Sequence, residues 1–132
     1  MNVNHVLVYG TLRRGERANS FLDNSEFLGE VTVPNAVMFD LGSFPGIHLN
    51  QPEFSITAEL YRVDNPKIID RLDGYEGFDP YDPKRSLYLR EVVNVNGVDA
   101  FIYVYNGAAP RSPRIVTGDW KQRVYHHVES VV

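Results

Sequence analysis

Residues 5–19, HVLVYGTLRRGERAN, form an apolar run that breaks at Gly10 into a glycine-flanked, hydroxyl-bearing loop. Val6, Leu7 and Val8 make a short, β-branched-rich run ended by Gly, which predicts a buried strand. Gly10 either takes a positive φ or lets another segment approach its backbone closely. Such a loop presents N–H groups at the end of a rigid strand, where an anion can be held. The alternative is an ordinary strand-ending turn.

A second segment, Ile68 to Gly77, carries a carboxylate. Asn65 and Pro66 predict an N-cap and first helical residue, and Ile68, Ile69 and Leu72 form an apolar stripe at helical spacing. Gly74 is expected to stop this helix, placing Glu76 in a loop between Gly74 and Gly77. Where strand and helix ends converge, a carboxylate is desolvated, its pKa rises, and it becomes a usable base near neutral pH. In a solvated loop it is an ordinary surface glutamate.

The elements around these groups are mostly strands. Residues 27–33 and 36–41 predict strands separated at Pro34-Asn35, since Pro removes a ladder donor. Residues 54–63 alternate, with Phe54, Ile56, Ala58 and Leu60 on one face and Ser55, Thr57, Glu59 and Tyr61 on the other. Asn96-Gly97 between alternating runs predicts a two-residue hairpin turn. That turn fixes the register, setting Tyr88 opposite Tyr105, Arg90 opposite Tyr103 and Val92 opposite Phe101. The resulting face is aromatic with polar tips, suited either to lining a small-molecule cavity or to packing under another element. Leu89, Val93, Ala100 and Val104 on the other face read as core. Residues 79–86 form a Pro-rich loop of the kind that serves as a lid.

Composition narrows the function classes. A chain of 132 residues is a single domain able to close a core. With no cysteine, thiol nucleophiles, disulfides and thiolate metal sites are excluded. A net charge of -4 supplies no electrostatic footprint for nucleic acid or an anionic membrane. No apolar run approaches the ~18 residues of a membrane span, and Met1 to His5 lack a signal-peptide pattern, so a cytoplasmic protein is expected. His5, His48, His126 and His127 do not have metal-ligand spacing, and Ser20, Ser43 and Ser55 lack a nucleophile-elbow setting. Neither a metal nor a cofactor is expected. Arg13, Arg14 and Arg17 cluster beside the first loop, to meet a substrate carboxylate or to face solvent. Asp119-Trp120 is expected to start a terminal helix, with Asp119 as its cap.

Tyr9-Gly-Thr-Leu-Arg13 and Leu72-Asp-Gly-Tyr-Glu-Gly77 resemble segments of the gamma-glutamylcyclotransferase-like family, which includes gamma-glutamylamine cyclotransferases and plant avirulence-induced-gene-like proteins. The likeness extends, in the family's order, to Phe44–Ile47, Tyr88–Val95, Tyr103–Tyr105 and Gly118–Trp120, covering nearly the whole chain. Tyr75 stands where members commonly have Phe. The resemblance implies an α+β fold, a small mixed β-barrel with a few flanking helices, opening a cavity at the end of the first strand. It also implies a reaction in which the α-amine of a γ-glutamyl amine or peptide attacks its own γ-carbonyl, giving 5-oxo-L-proline and a free amine. Matching the family glutamate makes Glu76 the general acid and base. Tyr9, Gly10, Thr11 and Leu12 become substrate-binding residues, the amides around Gly10, Thr11 and Leu12 holding the α-carboxylate or the oxyanion, and the hairpin register adds Tyr88 and Tyr105 as cavity-facing candidates. The alternatives are a non-catalytic small-ligand or partner-binding module of the same fold, and an amide hydrolase using Glu76 to activate water.

Overall fold

Val6, Leu7 and Val8 put apolar side chains on both faces of one strand, which is stable only inside a sheet. The computed structural model, which describes residues 3–111, 113–123 and 125–126, places it there. β1 (His5–Val8) lies between an antiparallel β5 (Ser55–Arg62) and a parallel β7 (Val98–Tyr105). With β2 (Glu26–Pro34) and β6 (Tyr88–Val95) at the edges, the order is β2-β5-β1-β7-β6. A second sheet has the order β4-β3-β8-β9, from β3 (Ala36–Asp40), β4 (Pro45–Leu49), β8 (Arg114–Ile115) and β9 (Tyr125–His126).

Leu7 packs into a core shared by the two sheets, with Ile56, Ala58, Leu60 and Ile102 from the first and Ala36, Met38 and Ile47 from the second. Val6 and Val8 belong to another cluster, against Ile68, Ile69 and Leu72 of α1 (Pro66–Glu76) and Leu22 of the 3-10 turn Asn19–Leu22. The five-stranded sheet is therefore a middle layer, with α1 on one side and the second sheet on the other. No closed barrel is found among the described residues, whose strands form two separate ladders, so the α+β part of the expected small mixed β-barrel stands without the barrel. The chain leaves the first sheet at Pro34, which has no N–H for the ladder, turns through Asn35 at a φ of 59° and enters the second as β3. What stands is an α+β fold. No helix among the described residues is long and apolar enough to cross a membrane.

The hairpin has the expected register, with Tyr88 opposite Tyr105, Arg90 opposite Tyr103 and Leu89 opposite Val104. Asn96 and Gly97 have φ of 53° and 80°, the pair of positive angles that lets a two-residue loop follow the strand twist. α1 begins as expected, the Asn65 side chain accepting the Lys67 N–H at 3.0 Å ahead of Pro66. Its end differs, because the helix continues through Gly74. Gly77, at a φ of 69°, supplies the left-handed cap, and its N–H closes on Asp73 O and Gly74 O. Glu76 is thus the last helical residue. The terminal helix expected at Asp119 is the short 3-10 turn Trp120–Gln122, with Asp119 capping the Lys121 N–H at 2.9 Å and Trp120 buried. Met1 and His127 lie outside the described residues.

Candidate active site

Because α1 packs across β1, the C-terminus of the strand and the C-terminus of the helix meet at one cavity of about 260 Å³. Tyr9, Gly10, Thr11 and Leu12 form one wall, Tyr75 and Glu76 another, and Pro45, Tyr88 and Tyr103 complete it. The residues expected at positions 9–12, 76 and 88 are therefore brought together. Tyr105 is not. It packs edge-on to Tyr88 (6.1 Å between ring centroids) and stacks on His48 (6.0 Å), away from the cavity lining. Residues on one strand face share a direction but not a depth, and β4 covers this end of the hairpin: Gly46 lies so near that a Cβ there would come 3.0 Å from that of Tyr105.

Of the two roles open to Gly10, close approach applies. A Cβ there would lie 2.5 Å from Pro45 Cγ and 2.7 Å from its Cδ. The loop turns immediately, the Arg13 N–H donating to Gly10 O at 3.0 Å and the Ala18 N–H to Thr11 O at 2.9 Å. The N–H groups of Gly10, Thr11 and Leu12 have no acceptor among the described residues. Buried amide donors without partners are uncommon, and they are what an anion cradle requires. The Thr11 hydroxyl and the Tyr75 hydroxyl share a hydrogen bond of 2.8 Å, which ties the loop to the last turn of α1.

Burial pushes the Glu76 carboxyl from its ordinary 4.5 up to about 7. The reason is visible in its neighbours. Tyr9, Tyr88 and Tyr103 surround it, yet each spends its proton elsewhere: Tyr9 donates to Tyr103 O (2.6 Å), Tyr88 to Pro45 O (2.5 Å) and Tyr103 to Asp73 Oδ1 (2.7 Å). No hydrogen bond or ion pair among the described residues stabilises the ionised carboxylate, and the negative end of the helix dipole disfavours it further. The three tyrosines are themselves held above the usual phenol range, first by burial and then by neighbours that include Glu76. They stay neutral, as fixed walls.

Two positioning groups escape sequence reading. Asp73, one helical turn before Glu76, is buried and takes Arg90 Nη1 at 2.6 Å as well as the Tyr103 hydroxyl, locking the end of α1 to the hairpin. Its three-residue spacing from Glu76 and the register pairing Arg90 with Tyr103 were the available signals. Arg13, read as part of an exposed or substrate-facing cluster, is 2% exposed. Its guanidinium meets Glu59 (2.8 Å), Asp119 (2.6 Å) and Glu30 (3.0 Å), so it braces the loop and is closed to substrate. Arg14 is exposed over the Phe27 ring, and only Arg17 of the three reaches the cavity. The loop 79–86 is tethered, Asn106 Nδ2 donating to Pro83 O (3.0 Å) and Ser86 O (2.9 Å). No group of three or more His, Cys, Asp or Glu side chains among the described residues is placed to hold a metal ion.

The two hairpin tyrosines are separable by experiment. Tyr88→Phe leaves Pro45 O, beside Gly10, without its buried donor, which should cost about 1–3 kcal/mol of stability and shift KM several-fold. Tyr105→Phe should leave kinetics within about twofold, since the ring packing is kept and the lost hydroxyl makes no hydrogen bond among the described residues. Chemical denaturation and steady-state kinetics of both variants check this. A kinetic defect larger in Tyr105→Phe than in Tyr88→Phe would restore Tyr105 to the site.

A sequence model described as gamma-glutamyl cyclotransferase, AIG2-like, matches residues 6–122. A Vibrio cholerae protein that carries a provisional gamma-glutamylcyclotransferase name is 36% identical over 120 residues, covering 90% of this chain and 96% of that protein. A Niallia circulans protein named gamma-L-glutamyl-butirosin B gamma-glutamyl cyclotransferase is 30% identical, covering 96% of this chain and 81% of its own length. The crystal structure of an uncharacterized Pyrococcus horikoshii protein matches with a TM-score of 0.72 at 24% identity over 92% of both chains, a likeness of fold.

Proposed function

Since the chain belongs to the gamma-glutamyl cyclotransferase, AIG2-like family, we propose that it converts a γ-glutamyl amine or γ-glutamyl peptide to 5-oxo-L-proline and a free amine, with Glu76 as general acid and base. The observation that carries this reading is a carboxylate with no partner among the described residues, held near a pKa of about 7 across one cavity from the partnerless amides of Gly10, Thr11 and Leu12.

In this scheme Glu76 takes a proton from the substrate α-ammonium, and the freed amine attacks the γ-carbonyl carbon. A five-membered ring forms, the carbonyl oxygen becomes an oxyanion, and the γ C–N bond then breaks. Two protons leave the α-nitrogen in all and two reach the departing nitrogen, so a single carboxyl relaying each in turn closes the balance without water. A pKa near the working pH suits a group that must both accept and donate. The loop amides hold the substrate α-carboxylate or the oxyanion, where oriented donors in a dry site contribute most. A short cavity that folds the substrate adds proximity.

Incubation with γ-glutamyl amines, γ-glutamyl amino acids and glutathione, followed by detection of 5-oxoproline, tests the reading. Free glutamate as the product would point to hydrolysis. Stabilisation by ligand without turnover would point to a binding module. Because the base acts in its ionised form, kcat/KM should rise with pH through an inflection near the Glu76 value of about 7. A profile flat across that region would remove Glu76 as the base.

A further inference from the structure

A second cavity, of about 310 Å³, adjoins the first and shares Thr11 and Arg17 with it. The first is walled largely by aromatic and aliphatic side chains. The second is walled by charge, with Arg17, Arg123, Glu16 and Asp40. Both guanidinium groups are held in place by uncharged partners: Arg17 donates to Ser43 O at 2.9 Å, and Arg123 lies 3.9 Å from the centroid of the Trp120 ring. Neither has a carboxylate within ion-pair distance among the described residues, whereas Arg13 nearby is taken up by three. Arg17 and Arg123 thus present two positioned guanidinium groups to one cavity, beside the acidic Glu16 and Asp40. A guanidinium fork matches a carboxylate in both charge and hydrogen-bond geometry.

We propose that this second cavity is the leaving-group subsite, that it selects γ-glutamyl compounds whose departing amine bears a carboxylate, and that Arg17 is the residue reading it. The inference rests on the cyclotransferase reading above. With the γ-glutamyl moiety between the Gly10 loop and Glu76, whatever lies beyond the scissile nitrogen must pass out of the first cavity. Thr11 and Arg17 line both cavities, so a leaving group that extends past them comes to the charged one. There Arg17, and Arg123 behind it, meet a carboxylate, while Glu16 supplies an acceptor for an N–H donor. That combination fits an amino acid or short peptide better than an alkyl or aryl amine.

γ-Glutamylalanine and γ-glutamylethylamide differ only in the carboxylate of the departing group, so the ratio of their kcat/KM values isolates it. The wild-type protein should prefer γ-glutamylalanine by about tenfold or more, the usual worth of a hydrogen bond to a charged group. Arg17→Gln should bring the ratio close to one, and Arg123→Gln should lower it less. Because each ratio is measured within one variant, a loss of folded protein cancels. A wild-type ratio near one, or a ratio unchanged in Arg17→Gln, overturns the subsite and leaves the cyclotransferase reading intact. No 5-oxoproline from either substrate removes both.

Discussion

Glu76→Gln should lower 5-oxoproline formation by about 100-fold or more, the worth of a positioned acid–base group, because the amide keeps the shape of the carboxyl and cannot carry its proton. The same substitution should not weaken the fold. The folded carboxyl keeps its proton up to about 7, whereas the unfolded chain releases it near the ordinary 4.5. Between those values the folded protein binds more protons than the unfolded one, so this group lowers stability as pH rises through that window. Above it, the ionised Glu76 remains a full cost. Glu76→Gln should therefore be at least as stable as wild type at about pH 8 and lose that advantage below about pH 4. Denaturant melts at both pH values, run beside the 5-oxoproline assay, separate chemistry from folding. Activity within a few-fold of wild type would show that the base lies elsewhere. A variant less stable than wild type at the higher pH would mean that Glu76 has a stabilising partner.

Gly10→Val should damage folding and turnover together. The first added carbon would already overlap Pro45 Cγ and Cδ at 2.5 and 2.7 Å, so the loop or the Pro45 ring of β4 must shift. Overpacking of this kind costs about 1–3 kcal/mol, equivalent to a fall in Tm of several degrees for a domain of this size. Turnover per folded molecule should also fall, because moving Gly10 displaces the amides of Thr11 and Leu12. Pairing Gly10→Ala with Pro45→Ala removes the ring that the new carbon meets, and should recover stability relative to Gly10→Ala alone. If Gly10→Val melts and turns over like wild type, the loop is neither tightly packed nor part of the site.

Much of the frame was legible because it rests on neighbours in sequence. Asn96-Gly97 sets two positive φ angles, and those alone fix which residues of β6 and β7 face each other. Asn65-Pro66 starts α1 by capping and by a preset φ, and Val6 to Val8 could be only an inner strand. The meeting of the Gly10 loop with Glu76 was anticipated through resemblance, and no local rule supplies it.

Taken by itself, the amino-acid sequence determined where α1 begins, the hairpin register and the absence of thiol chemistry, because each depends on residue type and on interactions within a few positions. Tertiary structure decided the rest. It carried α1 past Gly74 to Gly77, where the cap closes on Asp73 and Gly74. It buried Arg13 by bringing up carboxylates 46 and 106 positions away in sequence. It laid β4 across that end of the hairpin, so that Tyr88 reaches the cavity while Tyr105 packs beside it, and it ran the strands as two ladders that part at Pro34-Asn35. The pKa of Glu76 belongs to this second class, since desolvation is set by which surfaces close around a group, and the tyrosines that surround it come from the loop after β1 and from the hairpin.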